Sequence, residues 1–291
     1  MLTHRTEQWR QQGEMVEISG RSLFVRSERG DKPLLLFLHG FPSSSWDWRE
    51  LIGHGGHASL AFDCLGFGLS DKPYEHDYTL GWQADAAEEL VRREGSPPVF
   101  VVAHDMGTSV ATELMARDLR GELDMTVAGM LLFNGGILLD RITPTWGQKV
   151  LRGRFGKLAS LLTIEPMFRR QFGSLFSHAH PLTAEEAADQ WALLRHNGGH
   201  VMLHRTIAYM DERERLAGRW HGAFRDWGGP LSLTWGMRDP VSTASVLSGL
   251  RKLRPNVPLT SLPDLGHYPQ IEGPAALAAV LDEALSRAST S

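Results

Sequence analysis

The sequence predicts an α/β protein with a mostly parallel, doubly wound sheet interrupted by an inserted helical lid. Two patterns carry that prediction. Short, continuous apolar runs recur along the chain with helix-periodic stretches between them, and the alternation breaks once, between Phe133 and Leu231. With 291 residues, 42% hydrophobic and 22% charged, the chain is long enough to bury one large core.

Met15 to Arg26 alternates apolar and polar residues around Ser19-Gly20, which predicts an antiparallel hairpin at a sheet edge. The runs Leu34–Leu38, Ala58–Phe62, Val99–Ala103, Gly129–Phe133, Leu231–Trp235 and Leu259–Leu262 read as strands buried on both faces. Thr79–Glu94, Gly107–Arg120, Thr243–Leu253 and Pro274–Arg287 have helical apolar spacing. The expected organisation is a core of residues 1–136 and 228–291 with a helical lid at 137–227. There is no internal repeat.

Composition narrows the classes of partner. A net charge of −4 and a pI near 6.4 supply no basic stripe of the kind that phosphate backbones or anionic membranes attract, so neither nucleic acid nor a membrane is expected as a partner. The lone Cys64 permits no internal disulfide and no thiol-based zinc site. His178 and His180 lie beside Pro181 without an evident third ligand, so neither metal nor cofactor is expected. Met1 to Gly13 is polar where an export signal is apolar. The longest apolar runs, 33–38 and 98–103, fall far short of the roughly 20 residues of a membrane span. A cytoplasmic protein acting on a small molecule is expected; its oligomeric state is not legible.

The strongest local signal is the strand 99–104 running into Asp105-Met-Gly107 and then directly into a helix. Small residues at Ala103 and Gly107 permit a sharp turn that lifts Asp105 to the top of the sheet, as in the nucleophile elbow of α/β-hydrolases. The helix that follows directs free N–H groups toward that carboxylate. Strand 34–38 leads into His39-Gly-Phe-Pro42, where a second oxyanion donor belongs, so the amides of Phe41 and Met106 are the candidates. His39 reads as a brace for this turn. Asp239 follows strand 231–235, and His267 follows strand 259–262, which completes the order nucleophile, acid, base. A carboxylate nucleophile is already ionised at neutral pH, so His267 is expected to activate water and not the nucleophile.

His39-Gly-Phe-Pro42, Asp63-Cys-Leu-Gly-Phe-Gly-Leu-Ser-Asp-Lys-Pro73, His104-Asp-Met-Gly107 and Gly266-His-Tyr-Pro269 together resemble the epoxide hydrolase and haloalkane dehalogenase branch of the α/β-hydrolases. Within it, Asn134-Gly-Gly-Ile137, Arg195-His-Asn-Gly-Gly199 and Tyr209-Met-Asp-Glu-Arg213 extend the resemblance to the epoxide-hydrolase-like mesoderm-specific transcript group. Met106 and Phe41 stand where dehalogenases of this branch commonly carry halide-holding tryptophan and asparagine. Fluoroacetate dehalogenases have an arginine after the nucleophile, where this chain has Met106. The resemblance therefore implies an epoxide hydrolase, with a haloalkane dehalogenase or an ester or lactone hydrolase as alternatives. A ligand-binding protein that merely retains the elbow is the non-enzymatic alternative.

Epoxide hydrolases of the branch donate protons from lid tyrosines, and Tyr209 lies in the segment matching the second of these. The first is missing, since Tyr209 is the only tyrosine between Ile137 and Trp227. Packing within a lid helix is the competing role for Tyr209. Among Phe41, Trp46, Trp48, Trp146 and Trp191, the sequence favours Phe41 and Trp146 as pocket residues.

Overall fold

The computed structural model describes residues 1–290; the last residue of the 228–291 segment lies outside them. It opens with α1 (His4–Gln11), started by a Thr3–Thr6 capping box. This helix was not expected, because its only buried apolar side chain is Trp9, which packs against Phe24 and Trp46. The strands are β1 (Glu14–Ile18), β2 (Arg21–Glu28), β3 (Asp31–Leu38), β4 (His57–Phe62), β5 (Val99–His104), β6 (Val127–Phe133), β7 (Leu231–Gly236) and β8 (Leu259–Leu262). They form one sheet in the order β1-β2-β4-β3-β5-β6-β7-β8, antiparallel at the β1–β2 hairpin and the β2–β4 pairing and parallel elsewhere.

The continuous apolar runs are explained by what covers the sheet. Leu34, Leu36 and Leu38 of β3 and Val99, Val101 and Ala103 of β5 face one core. That core also takes side chains from α2 (Leu80–Arg93) and α3 (Met106–Asp118). Leu35, Phe37, Phe100 and Val102 point to the opposite side, where a second core forms with the C-terminal helix. Because alternate side chains of a strand face opposite ways, only a doubly covered sheet buries every residue of such a run.

Helices α4 (Trp146–Arg152), α5 (Gly156–Leu161), α6 (Glu165–Gly173), α7 (Ala184–Arg195), α8 (Leu203–Thr206), α9 (Tyr209–Arg215) and α10 (Ala217–Asp226) lie between β6 and β7. α10 belongs spatially to the sheet-covering layer: Arg219 and the Trp220 indole both bond Glu113 of α3. α11 (Ala244–Leu253) follows β7, and α12 (Pro269–Glu272) and α13 (Pro274–Ser289) complete the chain.

Candidate active site

The turn after β5 forces Asp105 to φ +46°, a left-handed backbone conformation costly for any side chain but glycine. Close packing makes the turn possible. A Cβ on Gly107 would stand 2.3 Å from the Leu38 carbonyl oxygen, and one on Gly40 would stand 2.6 Å from the Asp105 Cβ. Lacking those atoms, the β3 turn approaches closely enough for the Phe41 N–H to donate to Asp105 Oδ1 at 2.9 Å. Met106 begins α3, so its N–H is one of the first-turn donors that no residue of the helix can accept.

His267 sits on the loop after β8 and is buried. Its Nδ1 is 2.7 Å from Asp239 Oδ2, and its Nε2 is 3.9 Å from Asp105 Oδ2. Asp239 is held by three further donors: the Val241 amide at 2.7 Å, the Ser242 amide at 2.9 Å and the Asn134 side-chain amide at 2.8 Å. Burial opposes the charge of Asp239, but His267 and these donors outweigh it and lower the carboxyl below its ordinary value. Burial likewise opposes the charge of His267. Asp239, then Asp105 and Glu272, overcome that penalty and push the imidazole up to about 9.

His39 is the brace the sequence implied. Its Nε2 accepts from the Cys64 N–H at 2.9 Å, which leaves the Nδ1 proton for the Gly40 carbonyl, also at 2.9 Å. Burial lowers its pKa and keeps it neutral.

Tyr209 opens α9 and is fully buried, its ring 5.7 Å from that of Phe41. Burial raises its phenol well above the ordinary value, and the Asp105 charge adds to this. Phe41, Trp146 and His267 line one cavity of about 320 Å³, walled by α4, α5 and α6 residues such as Leu151, Leu158 and Phe172. Trp46, Trp48 and Trp191 do not line it. Among the described residues no His, Cys, Asp or Glu cluster has the makings of a metal site, His178 and His180 included.

Several residues around the site had no role assigned from the sequence. His104 donates from Nε2 to the His267 carbonyl at 2.7 Å and accepts from Gln270 at Nδ1. Glu272 accepts the amides of Gly266, Ser177 and Tyr268 and so pins the His267 loop. Arg213, buried and without an ion pair among the described residues, donates to the Asp105 carbonyl at 3.0 Å and to Ser109 Oγ at 2.8 Å. Its guanidinium lies 4.6 Å from the Tyr209 ring centre. Tyr268 is a second buried phenol, whose hydroxyl donates to the Phe41 carbonyl at 3.4 Å. His104 and Tyr268 lie in the motifs that carry the family resemblance, next to Asp105 and His267, but nothing in those motifs assigned them a role. Arg213 also lies in such a motif and Glu272 in none, and neither role was legible, because both depend on contacts across the fold.

The elbow, the carboxylate-paired histidine and the doubly wound sheet define an α/β-hydrolase. The chain belongs to the alpha/beta hydrolase family, whose model matches residues 35–280, and it is a hydrolase. The putative hydrolase LipZ of Mycobacterium tuberculosis is 49% identical over 279 residues, covering 96% of this chain and 97% of LipZ. The mouse mesoderm-specific transcript protein is 31% identical over 287 residues, 94% of this chain and 85% of its own length. Mouse epoxide hydrolase 3 matches at 37% over 102 residues, 34% of this chain and 28% of its own. Among solved structures, haloalkane dehalogenase DbeA from Bradyrhizobium elkani shares the fold with a TM-score of 0.78 at 21% identity, covering 96% of this chain and 98% of DbeA.

Proposed function

We propose that this hydrolase opens an apolar epoxide to a diol through an ester on Asp105. The observation that carries the reading is a carboxylate, not a hydroxyl, at the elbow, held by the Phe41 amide and facing a histidine it does not hydrogen-bond. A carboxylate needs no general base, so it attacks a saturated ring carbon directly. As the Asp105–carbon bond forms, the carbon–oxygen bond of the ring breaks, and the resulting alkoxide takes the Tyr209 proton. The raised phenol pKa keeps that proton in place until an alkoxide develops.

Hydrolysis of the ester then falls to His267. Esterification removes the Asp105 charge, one of the interactions that hold the imidazole protonated, and so lowers its pKa toward the neutral form that accepts a proton from water. Water attacks the Asp105 carbonyl, the Phe41 and Met106 amides hold the oxyanion, and the diol leaves with an Asp105 oxygen. The proton that His267 sheds on esterification goes to the Tyr209 phenolate, the leaving diol oxygen takes the remaining proton of the attacking water, and the proton His267 accepts from that water restores the imidazolium, closing the cycle. Phe41 and Met106 offer no indole or carboxamide to grip a halide, and this favours the epoxide over a halogenated alkane. A reducing, cytoplasmic setting suits a chain whose one cysteine is buried.

Purified protein assayed against epoxides, halogenated alkanes and activated esters tests the reading, with diol formation the expected result. Halide release without diol would replace it with a dehalogenase. No turnover of any class, with tight retention of an intact ligand, would make the chain a binding protein.

A further inference from the structure

The cavity opens through a surface that is apolar on its outside as well as its inside. Trp146 (74% exposed), Phe155, Leu158, Leu162 (61%) and Met167 are solvent-exposed, and the same five side chains line the cavity. Leu161 and Ile164 extend this surface without lining the cavity. Scattered exposed apolar residues are ordinary, but a contiguous set around a pocket mouth marks a contact surface.

The charge around that mouth is opposite to the charge of the chain. Between Trp146 and Arg170 stand Lys149, Arg152, Arg154, Lys157, Arg169 and Arg170 against the single acid Glu165, in a protein of net charge −4. Arg152 is paired with Asp211 and Glu214, and Arg169 with Glu165. Among the described residues, Lys149, Arg154, Lys157 and Arg170 form no ion pair.

We infer that the α4–α6 face docks this hydrolase on an anionic lipid surface. Short helices with outward apolar side chains and flanking cations suit the boundary between headgroups and acyl chains: the apolar groups enter it and the cations meet the lipid charge. The cavity then opens toward the acyl layer, and an apolar substrate passes into it without crossing water. The expectation that no membrane is a partner rested on net charge, a sum over the chain in which a local excess of the opposite sign does not show. No helix among the described residues is long and apolar enough to span a bilayer, and lying on a surface requires none.

Flotation of the full chain with phosphatidylcholine vesicles, with and without phosphatidylglycerol, tests the inference. Binding is expected only with the anionic lipid and should weaken as salt rises. Leu161→Glu/Ile164→Glu and Lys149→Glu/Arg170→Glu should each reduce vesicle binding by roughly ten-fold or more. All four positions lie outside the cavity lining, so both double variants should keep the wild-type circular dichroism and melting temperature. Folded wild-type protein that ignores anionic vesicles, or folded variants that bind as well as wild type, would overturn the inference. So would a dimer in sedimentation velocity that Leu161→Glu/Ile164→Glu dissociates, because a second copy would then cover this face. None of these readouts depends on epoxide chemistry.

Discussion

His267 Nε2 lies 3.9 Å from Asp105 Oδ2, beyond hydrogen-bond range, while Nδ1 of the same ring meets Asp239 at 2.7 Å. A serine or cysteine nucleophile requires its base within about 2.6–3.2 Å to lose a proton. A carboxylate has no proton to lose, and under the proposed mechanism the histidine next to it acts first as a charge and later as a base for water.

If Asp105 is the nucleophile, its own oxygen enters the product. With enzyme in excess and ¹⁸O-labelled water, the first-turnover diol should be unlabelled and the label should appear in the Asp105 carboxylate. His267→Gln should accumulate a substrate adduct on the peptide containing Asp105, and Asp105→Ala should yield neither adduct nor product. Label in the first-turnover diol, with no adduct in the His267 variant, would leave direct attack by water as the mechanism.

The Asp105 charge helps to hold His267 protonated, so Asp105→Asn should move the imidazole titration downward from about 9. NMR titration of His267 in both proteins measures this, and an unchanged or higher midpoint would contradict the proposed switch. The sign for stability follows from linkage. A histidine whose folded pKa exceeds its ordinary 6.5 stabilises the fold fully below 6.5 and loses that contribution as pH rises through about 9. The His267 contribution to stability should therefore decline across that interval, and the upper end of the decline should move down in Asp105→Asn.

Tyr209→Phe removes one hydroxyl and leaves the ring packed on Phe41. Loss of a positioned acid typically costs about 10² to 10⁴ in rate, so single-turnover epoxide opening should fall by that order with little change in melting temperature. A rate within a few-fold of wild type would assign Tyr209 to packing. The nearby Tyr268 phenol would then be the next donor to test, by Tyr268→Phe.

The elbow should be intolerant of one added carbon. Gly107→Ala would place a methyl 2.3 Å from the Leu38 carbonyl oxygen, a backbone atom that cannot swing aside. Overpacking of this kind costs about 1–3 kcal/mol, so the melting temperature should drop measurably. An alanine variant as stable as wild type would mean that β3 and α3 can separate there.

The sequence alone was sufficient for the strands and for the helices between them outside the lid, and for placing Asp105, Asp239 and His267 each just past a strand end; α1, α12 and the individual lid helices were not legible in it. What was legible is written locally: an apolar run long enough for a buried strand, a small residue where two backbones nearly touch, an acid or histidine just past a strand end. The tertiary structure alone decided what surrounds them. Asn134 reaches Asp239 across 105 positions, Arg213 reaches the Asp105 carbonyl across 108, and His104 supports the His267 carbonyl across 163. No periodicity or spacing encodes such contacts, because they arise only when the carboxyl ends of β5, β6 and β7 and the lid converge. The same holds for the basic apolar face around the cavity. The excess of cations over acids between Trp146 and Arg170 is readable in the sequence, but these residues and the exposed apolar side chains become one surface only when α4, α5 and α6 wall a common opening.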